Sequence, residues 1–224
     1  MADDVAPLRL QQSGSDAADA LLLLLASDPV GARERSMAMA SEARTRGDHE
    51  LEARLLRVAG FALEYEAKVP EALAVLRRAT RIAAKYGDCQ TVAQCRVSLA
   101  FVEMITGHGG TASEATIRSG VAALRGRARA DALIQLGYAL ERLARWDEAV
   151  GELNRALRIL RRTGPAELMG FALTDRAICH AYPGGHPSRS ARPGCELGEF
   201  HTREPGCWPV AARTQRRVCR RARR

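Results

Sequence analysis

The chain has 224 residues, of which 46% are hydrophobic and 4% aromatic. Its net charge of +8 is uneven: residues 1–182 carry 24 basic and 23 acidic side chains, whereas residues 183–224 carry 10 Arg against 3 Glu. Because the first 182 residues are almost neutral, their charge gives no reason to expect binding to nucleic acid. Few aromatic and many small residues favour closely packed helices.

The leucine-rich segment near the start matches neither a signal peptide nor a membrane span. Asp16 and Asp19 directly precede the apolar stretch 20–26, where a signal peptide requires positive charge. The stretch is also too short to cross a bilayer. We therefore expect a disordered segment over residues 1–15, and a soluble cytoplasmic protein with no membrane partner.

Small residues recur along the chain at a nearly constant interval. Five of them are separated by 40, 40, 37 and 40 residues: Ala20, Gly60, Ala100, Gly137 and Ala177. In two units a second motif, Ala-x3-Leu-x2-Ala, follows: Ala72, Leu76 and Ala79, then Ala149, Leu153 and Ala156. This is the tetratricopeptide pattern, in which a small residue of the first helix lets the second helix cross closely.

Two other units match this pattern less well. The set that follows Ala100 is Ala112, Thr116 and Ser119, and the set that follows Ala20 is Ala32, Ser36 and Met39.

The junctions between units carry helix-ending signals. Gly47-Asp48 and Gly87-Asp88 each follow a helical pattern, and Gly126 and Gly164 continue the series. We expect these glycines to end helices in the left-handed conformation and each Asp to cap the next helix.

These observations predict an all-α fold, a right-handed superhelical solenoid of antiparallel helix pairs over residues 16–182. The repeats amount to about four and a half units. Because the fifth first-helix has no second helix to cover it, Leu173 and Ile178 should leave an apolar face exposed. We expect weak stability at that end, or self-association through it.

Residues 183–224 break the repeat. Five of the nine prolines lie between residues 183 and 209, and seven Arg occupy the last twelve positions; such proline density prevents helix formation. One explanation is a disordered basic extension, and the other is a frameshift near Tyr182. A further hypothesis is that the Arg-rich tail binds nucleic acid.

The sequence carries no motif typical of an enzyme. None of the six cysteines forms a C-x-x-C pair, so we expect reduced thiols, with Cys89 and Cys95 in or near the core. Cys179 and His180 are neighbours on a predicted helix, so their side chains diverge by about 100°. The glycines at 107–110 form a turn rather than a phosphate loop. No catalytic residue, cofactor or metal site is predicted.

Repeat register predicts which residues face the groove of the solenoid. The residue after each small anchor should project there: Leu21, Phe61, Phe101, Tyr138 and Ile178. The neighbouring groove positions are Arg54, Arg57 and Glu64, then Gln94, Val97 and Met104, then Asp131, Ile134 and Glu141. One interpretation is an aromatic ladder that grips a protein or peptide, and the other is that the rings pack between helices.

The spacing, the Gly-Asp junctions and the segment ALTDRAICHAY at 172–182 resemble the N-terminal repeat region of actinobacterial CHAT-domain proteins. In those proteins, tetratricopeptide repeats precede a caspase-like protease domain. The resemblance covers about residues 20–182, and nothing in the chain matches the protease domain. The leading hypothesis is therefore a non-catalytic scaffold that binds a peptide or protein. The alternative is a truncated regulatory portion of a CHAT-type protease without its catalytic domain.

Overall fold

The computed structural model describes residues 14–181, and all of its regular structure there is α-helical. The helices in this range are α1 Gly14–Leu24, α2 Pro29–Thr45, α3 His49–Tyr65, α4 Val69–Tyr86, α5 Cys89–Ile105, α6 Gly110–Ala123, α7 Gly126–Arg142, α8 Trp146–Thr163 and α9 Ala166–Ala181. The predicted all-α class is confirmed for this part of the chain. The predicted disordered N-terminal segment lies almost wholly, and the basic tail wholly, outside the described residues.

Helices pack in two ways. Each helix contacts the next one in the chain, and each odd-numbered helix also contacts the next odd-numbered helix. The odd-numbered helices α1, α3, α5, α7 and α9 therefore form one continuous layer. The even-numbered helices lie against its other side. The handedness of the superhelical path stays a prediction.

The predicted repeat lattice coincides with the helix starts from α3 onward. Helices α3, α5, α7 and α9 begin at residues 49, 89, 126 and 166, which are 40, 37 and 40 residues apart. Each small anchor (60, 100, 137 and 177) therefore lies eleven residues after the first residue of its helix. In α3, α5 and α7 this anchor is buried; in α9 it is exposed.

The two glycine anchors mark the points of closest helix crossing. A Cβ atom at Gly60 would lie 2.5 Å from Cγ of Leu76 in α4, and one at Gly137 would lie 2.7 Å from Cγ of Leu153 in α8. Both distances are far below carbon–carbon contact. The predicted pairing of a small residue with a large one across each hairpin is correct here.

The predicted register of α6 is wrong by one residue. Ser113, Ile117 and Gly120 are buried, whereas the predicted set of Ala112, Thr116 and Ser119 is exposed. The turn before α6 spans four residues, 106–109, whereas the turns before α4 and α8 span three, 66–68 and 143–145. The extra residue rotates the following helix by about 100°.

Helix α1 also departs from the predicted register. Ala20 is exposed, and Leu21 is buried in the core at 6% exposure. In α2 the predicted Ala32 and Ser36 are buried, while Met39 is half-buried. The first hairpin therefore keeps the second-helix motif but not the first-helix anchor.

The helix junctions follow the prediction only in part. Gly47 has a φ of +75°, and the Asp48 and Asp88 side chains accept hydrogen bonds from the backbone N–H groups of Leu51 and Thr91, at 3.1 and 2.7 Å. Gly87 is extended, with a φ of −83°, so its predicted left-handed conformation is wrong.

The remaining two junction glycines differ from the prediction as well. Gly164 is extended, and Gly126 has a φ of +53° but begins α7 instead of following α6. Left-handed backbone occurs instead at Ala67 and Ala144, after α3 and α7.

The cysteines of the described range differ in environment. Cys95 and Cys179 are buried, and burial raises the pKa of each thiol to about 11. Cys89 is exposed, so its predicted place near the core is wrong; it is the first residue of α5. The predicted turn at residues 107–110 coincides with the α5–α6 connection of residues 106–109, except that Gly110 already begins α6. Within residues 14–181, no helix combines the length and apolar character needed to cross a membrane.

Candidate ligand-binding site

The layer of odd-numbered helices curves around a cavity of about 600 Å³. All five of these helices contribute to its wall, and the only lining residues outside them belong to the α1–α2 connection and the start of α2. Arg127 of α7 lies 2.9 Å from Asp19 of α1. This ion pair joins helices that are not neighbours in the chain, so the layer is strongly curved.

Most of the residues predicted from repeat register line this cavity. Of the eleven predicted peptide-binding residues, nine do so: Arg54, Arg57, Phe61, Glu64, Phe101, Asp131, Ile134, Tyr138 and Glu141. Gln94 and Ile178, predicted as further groove positions, line it as well. Register therefore identified the inward face of α3 and α7, and that of α5 in part.

Val97, Met104 and Leu21 do not line the cavity, and their predicted groove position is wrong. Val97 is 1% exposed and faces α6, where a Cβ atom at Gly120 would overlap its Cγ2. Met104 follows Val97 by two helical turns, so it points the same way and is buried too. In α1 the cavity side belongs to Leu22, one residue out of the predicted register.

The predicted aromatic ladder exists as a row of touching rings. The ring centroids of Phe61 and Phe101 are 6.0 Å apart, and those of Phe101 and Tyr138 are 5.9 Å apart, with tilted planes. These are favourable aromatic geometries. The Arg57 guanidinium lies 5.7 Å from the Phe61 ring centroid, a cation–π contact. The rings thus pack between adjacent odd-numbered helices and form part of the cavity wall.

Three of the four arginines that line the cavity are held by carboxylates. Arg57, only 4% exposed, lies 3.2 Å from Asp131 and bridges α3 to α7. Arg54 lies 2.6 Å from Glu50 and also donates to the Thr91 hydroxyl at 3.1 Å. With the Asp19–Arg127 pair, these contacts define what we call the ion-paired end.

Three further carboxylates line the cavity, and we call them the carboxylate end: Glu64 of α3, Glu141 of α7 and Asp175 of α9. Burial raises the pKa of Glu64 and of Glu141 to about 7, although the nearby charge of Arg142 acts in the opposite direction. Burial, and then the charge of Glu141, raises the pKa of Asp175 to about 8. Among the described arginines that line the cavity, Arg142 is the one outside the ion-paired end. Its charge acts on Glu64 and Glu141.

Two tyrosines complete the carboxylate end. Burial raises the pKa of Tyr65 and of Tyr138 above the usual range, and the charges of Glu64 and Asp175 raise both further. The carboxylates are therefore close enough to act on the same phenols. Both tyrosines stay neutral and keep their hydroxyl protons at physiological pH.

Two buried acceptor atoms of cavity-lining residues have no hydrogen-bond partner within the described part of the chain. They are Oε1 of Gln135, a residue that is 7% exposed, and Oε2 of Glu141. Both residues line the cavity. A buried polar atom without a partner is destabilising by about 1–3 kcal/mol. The site is thus deficient in donors.

Sequence reasoning missed several lining residues, above all Asp175, Arg142 and Gln135. One signal was present: Glu64 and Glu141 each follow a glycine anchor, Gly60 or Gly137, by four residues. Equivalent positions in two repeats therefore carry the same acidic residue. Asp175 has no such signal, because it precedes its anchor and meets the other carboxylates only through the curvature of the layer.

Over residues 14–181, no group of three or more His, Cys, Asp and Glu side chains is placed to hold a metal ion. Comparison of the chain with protein-family models and with curated proteins finds no match.

Proposed function

We propose that this chain is a non-catalytic binding scaffold that holds a segment of a peptide or protein in the cavity on the inner side of its helical repeats. The observation that carries the proposal is the cavity itself, because one continuous layer of five helices lines it with buried aromatic and polar residues. A concave, largely apolar site with a few polar groups is the usual form of a binding site.

The ladder of rings supports this proposal without being a separable binding element. Phe61 and Phe101 are 6% and 8% exposed and contact each other. Truncating both rings would therefore disturb the packing of α3 on α5 as well as any ligand contact. The alternative, a regulatory portion of a CHAT-type protease, stays a prediction from sequence resemblance, and it would use the same cavity.

An arrayed library of short peptides, probed with the full chain, tests the proposal. Thr174→Trp fills the cavity from α9, and Leu173→Trp places the same ring on an exposed position of the same helix. We expect Thr174→Trp to abolish binding of the selected peptides and Leu173→Trp to leave it unchanged. Peptides that bind both variants equally well would contradict a role for the cavity.

A further inference from the structure

We propose that the carboxylate end of the cavity binds a primary ammonium group carried on an apolar stem, as in a lysine side chain. This inference rests on the proposed function, because it names the chemistry of the ligand that the same cavity takes. Three observations carry it: the excess of carboxylates, the two acceptor atoms without partners, and the apolar wall beside them.

Charge complementarity points to a cation. The ion-paired end matches each arginine with a carboxylate, whereas the carboxylate end has three carboxylates and one lining arginine, Arg142, whose charge acts on Glu64 and Glu141. Placing another positive charge there would let these groups ionise without mutual repulsion, while an anionic ligand would add to the repulsion. A neutral ligand would leave the excess negative charge uncompensated.

Hydrogen-bond demand points to a group rich in donors. Oε1 of Gln135 and Oε2 of Glu141 lack donors within residues 14–181, and an ammonium group supplies three N–H donors and no acceptor. Both oxygens are enclosed by protein, and rotation about the last side-chain torsion, which is soft in Glu and Gln, would turn either one toward the cavity. An ammonium group placed beside Glu141 would satisfy its Oε2.

The surroundings suit an alkyl stem. Ile134, Phe171 and Ile178 line the same cavity from α7 and α9, and Tyr138 presents its ring next to Phe101. A lysine side chain places four methylene groups behind its charge. The stem would then pack on apolar surface while the charge reaches the carboxylates.

Isothermal titration of the full chain at pH 8 tests the proposal with the peptide acetyl-Ala-Leu-Lys-Leu-Ala-amide. The matched peptides carry acetyl-lysine or norleucine in place of lysine, and n-butylamine serves as the free amine. We expect the lysine peptide to bind at least tenfold more tightly than either neutral peptide. Equal affinities would overturn the ammonium assignment.

Two isosteric variants locate the charge. Glu141→Gln and Asp175→Asn should each weaken lysine-peptide binding at least tenfold at pH 8, while leaving the norleucine peptide unaffected. Glu167→Gln, at an exposed position of the same helix as Asp175, is the matched control and should change nothing. Because both test variants remove a buried charge, we expect them to fold at least as well as the parent. Unchanged lysine selectivity in both would contradict the proposal.

The outcomes separate this inference from the proposed function. If neutral and lysine peptides bind equally and Thr174→Trp blocks both, the scaffold proposal stands and the ammonium assignment fails. If n-butylamine binds in a way that depends on Asp175 and no peptide binds, the ammonium site stands and the peptide-scaffold proposal fails. If none of the ligands binds, both fail.

The arginines of residues 213–224 are the chain's own candidates to occupy the carboxylate end in competition with an external ligand. Replacing the seven Arg of residues 213–224 by Gln should leave lysine-peptide affinity unchanged. A tenfold rise in affinity would instead assign the site to the chain's own basic segment and overturn the expectation of an external ligand.

Discussion

The two ends of the cavity differ in whether their buried charges are paired. At the ion-paired end, Arg57 and Asp131 lie 3.2 Å apart, and Arg127 and Asp19 lie 2.9 Å apart. At the carboxylate end, Arg142 is the nearby cation for Glu64 and Glu141, Asp175 lies near Glu141, and burial raises the pKa of all three. Paired charges fix helices relative to one another, whereas unpaired carboxylates destabilise the empty fold.

That difference separates structural from ligand-binding roles along one wall. A buried polar feature that is fully satisfied contributes to the fold, and one that is left unsatisfied requires another explanation. The following predictions distinguish the two ends by the sign of the stability change, starting with the largest effect.

Phe101→Ala should lower the free energy of unfolding by about 3 kcal/mol, because removing a core ring leaves a cavity. Phe101 contacts both Phe61 and Tyr138, so it joins the two ends. Urea denaturation followed by circular dichroism measures the change. The more conservative Phe101→Leu should lose about half as much, and a loss below 1 kcal/mol for Phe101→Ala would show that the ring row does not hold the helices together.

Arg57→Met should lower the free energy of unfolding by about 2–3 kcal/mol, since it leaves Asp131 without its ion-pair partner. The double variant Arg57→Met/Asp131→Leu should recover part of that loss, because both charges are then absent. Denaturant titrations of the single and double variants measure the coupling. Strictly additive losses would contradict a structural ion pair.

At the carboxylate end, Asp175→Asn should raise the free energy of unfolding, whereas Arg57→Met lowers it. The folded-state pKa of Asp175, about 8, lies above its ordinary value of 3.8, so the folded state holds more protons and the parent loses stability as pH rises from about 4 to 8. The variant removes this loss, and its advantage should grow with pH to about 2 kcal/mol at pH 8. Thermal unfolding from pH 5 to pH 8 measures it, with Glu167→Gln as the pH-independent control. A variant less stable than the parent at pH 8 would contradict the account.

Ala144→Gly should give the smallest change, a gain of about 0.5 kcal/mol. Ala144 has a φ of +58°, in the turn after the helix that carries Glu141, and Gly tolerates this conformation at the cost of a more flexible unfolded chain. Ala38→Gly, at an exposed position inside α2, should instead lose about 1 kcal/mol. If both changes destabilise equally, backbone strain does not explain the effect.

The sequence predicted those parts of the molecule that depend on local spacing. The lattice of small anchors located α3, α5, α7 and α9, and the Gly60–Leu76 and Gly137–Leu153 crossings follow directly from side-chain size. The register error in α6 arose because turn length was assumed constant. A single extra residue at 106–109 is enough to rotate the next helix.

The carboxylate end could not be predicted in the same way. Glu64, Glu141 and Asp175 belong to α3, α7 and α9, and their proximity depends on how strongly the layer of helices curves. Periodicity places a residue on the inner face of its own helix, but it does not report which distant helix lies opposite. The Asp19–Arg127 ion pair and the partnerless Oε1 of Gln135 have the same origin.

pH should affect ligand binding through the groups at the carboxylate end whose pKa is raised by their surroundings. These groups are Glu64, Tyr65, Tyr138, Glu141, Asp175 and Cys179. The charges of Arg142 and Asp131 also act on this set. Burial raises the pKa values of Glu64, Glu141 and Asp175 to between about 7 and 8. A bound ammonium, with an ordinary pKa of about 10.4, should lower them and so displace protons.

Proton release on binding is therefore the most direct measurement. Titration of acetyl-Ala-Leu-Lys-Leu-Ala-amide into the full chain at pH 7, in two buffers of different ionisation enthalpy, counts the protons displaced. We expect the lysine peptide to release about half a proton or more, and Asp175→Asn together with Glu141→Gln to reduce that release. A lysine peptide that binds without proton release, or with the same release as the norleucine peptide, would contradict the assignment of the carboxylate end as a cation site.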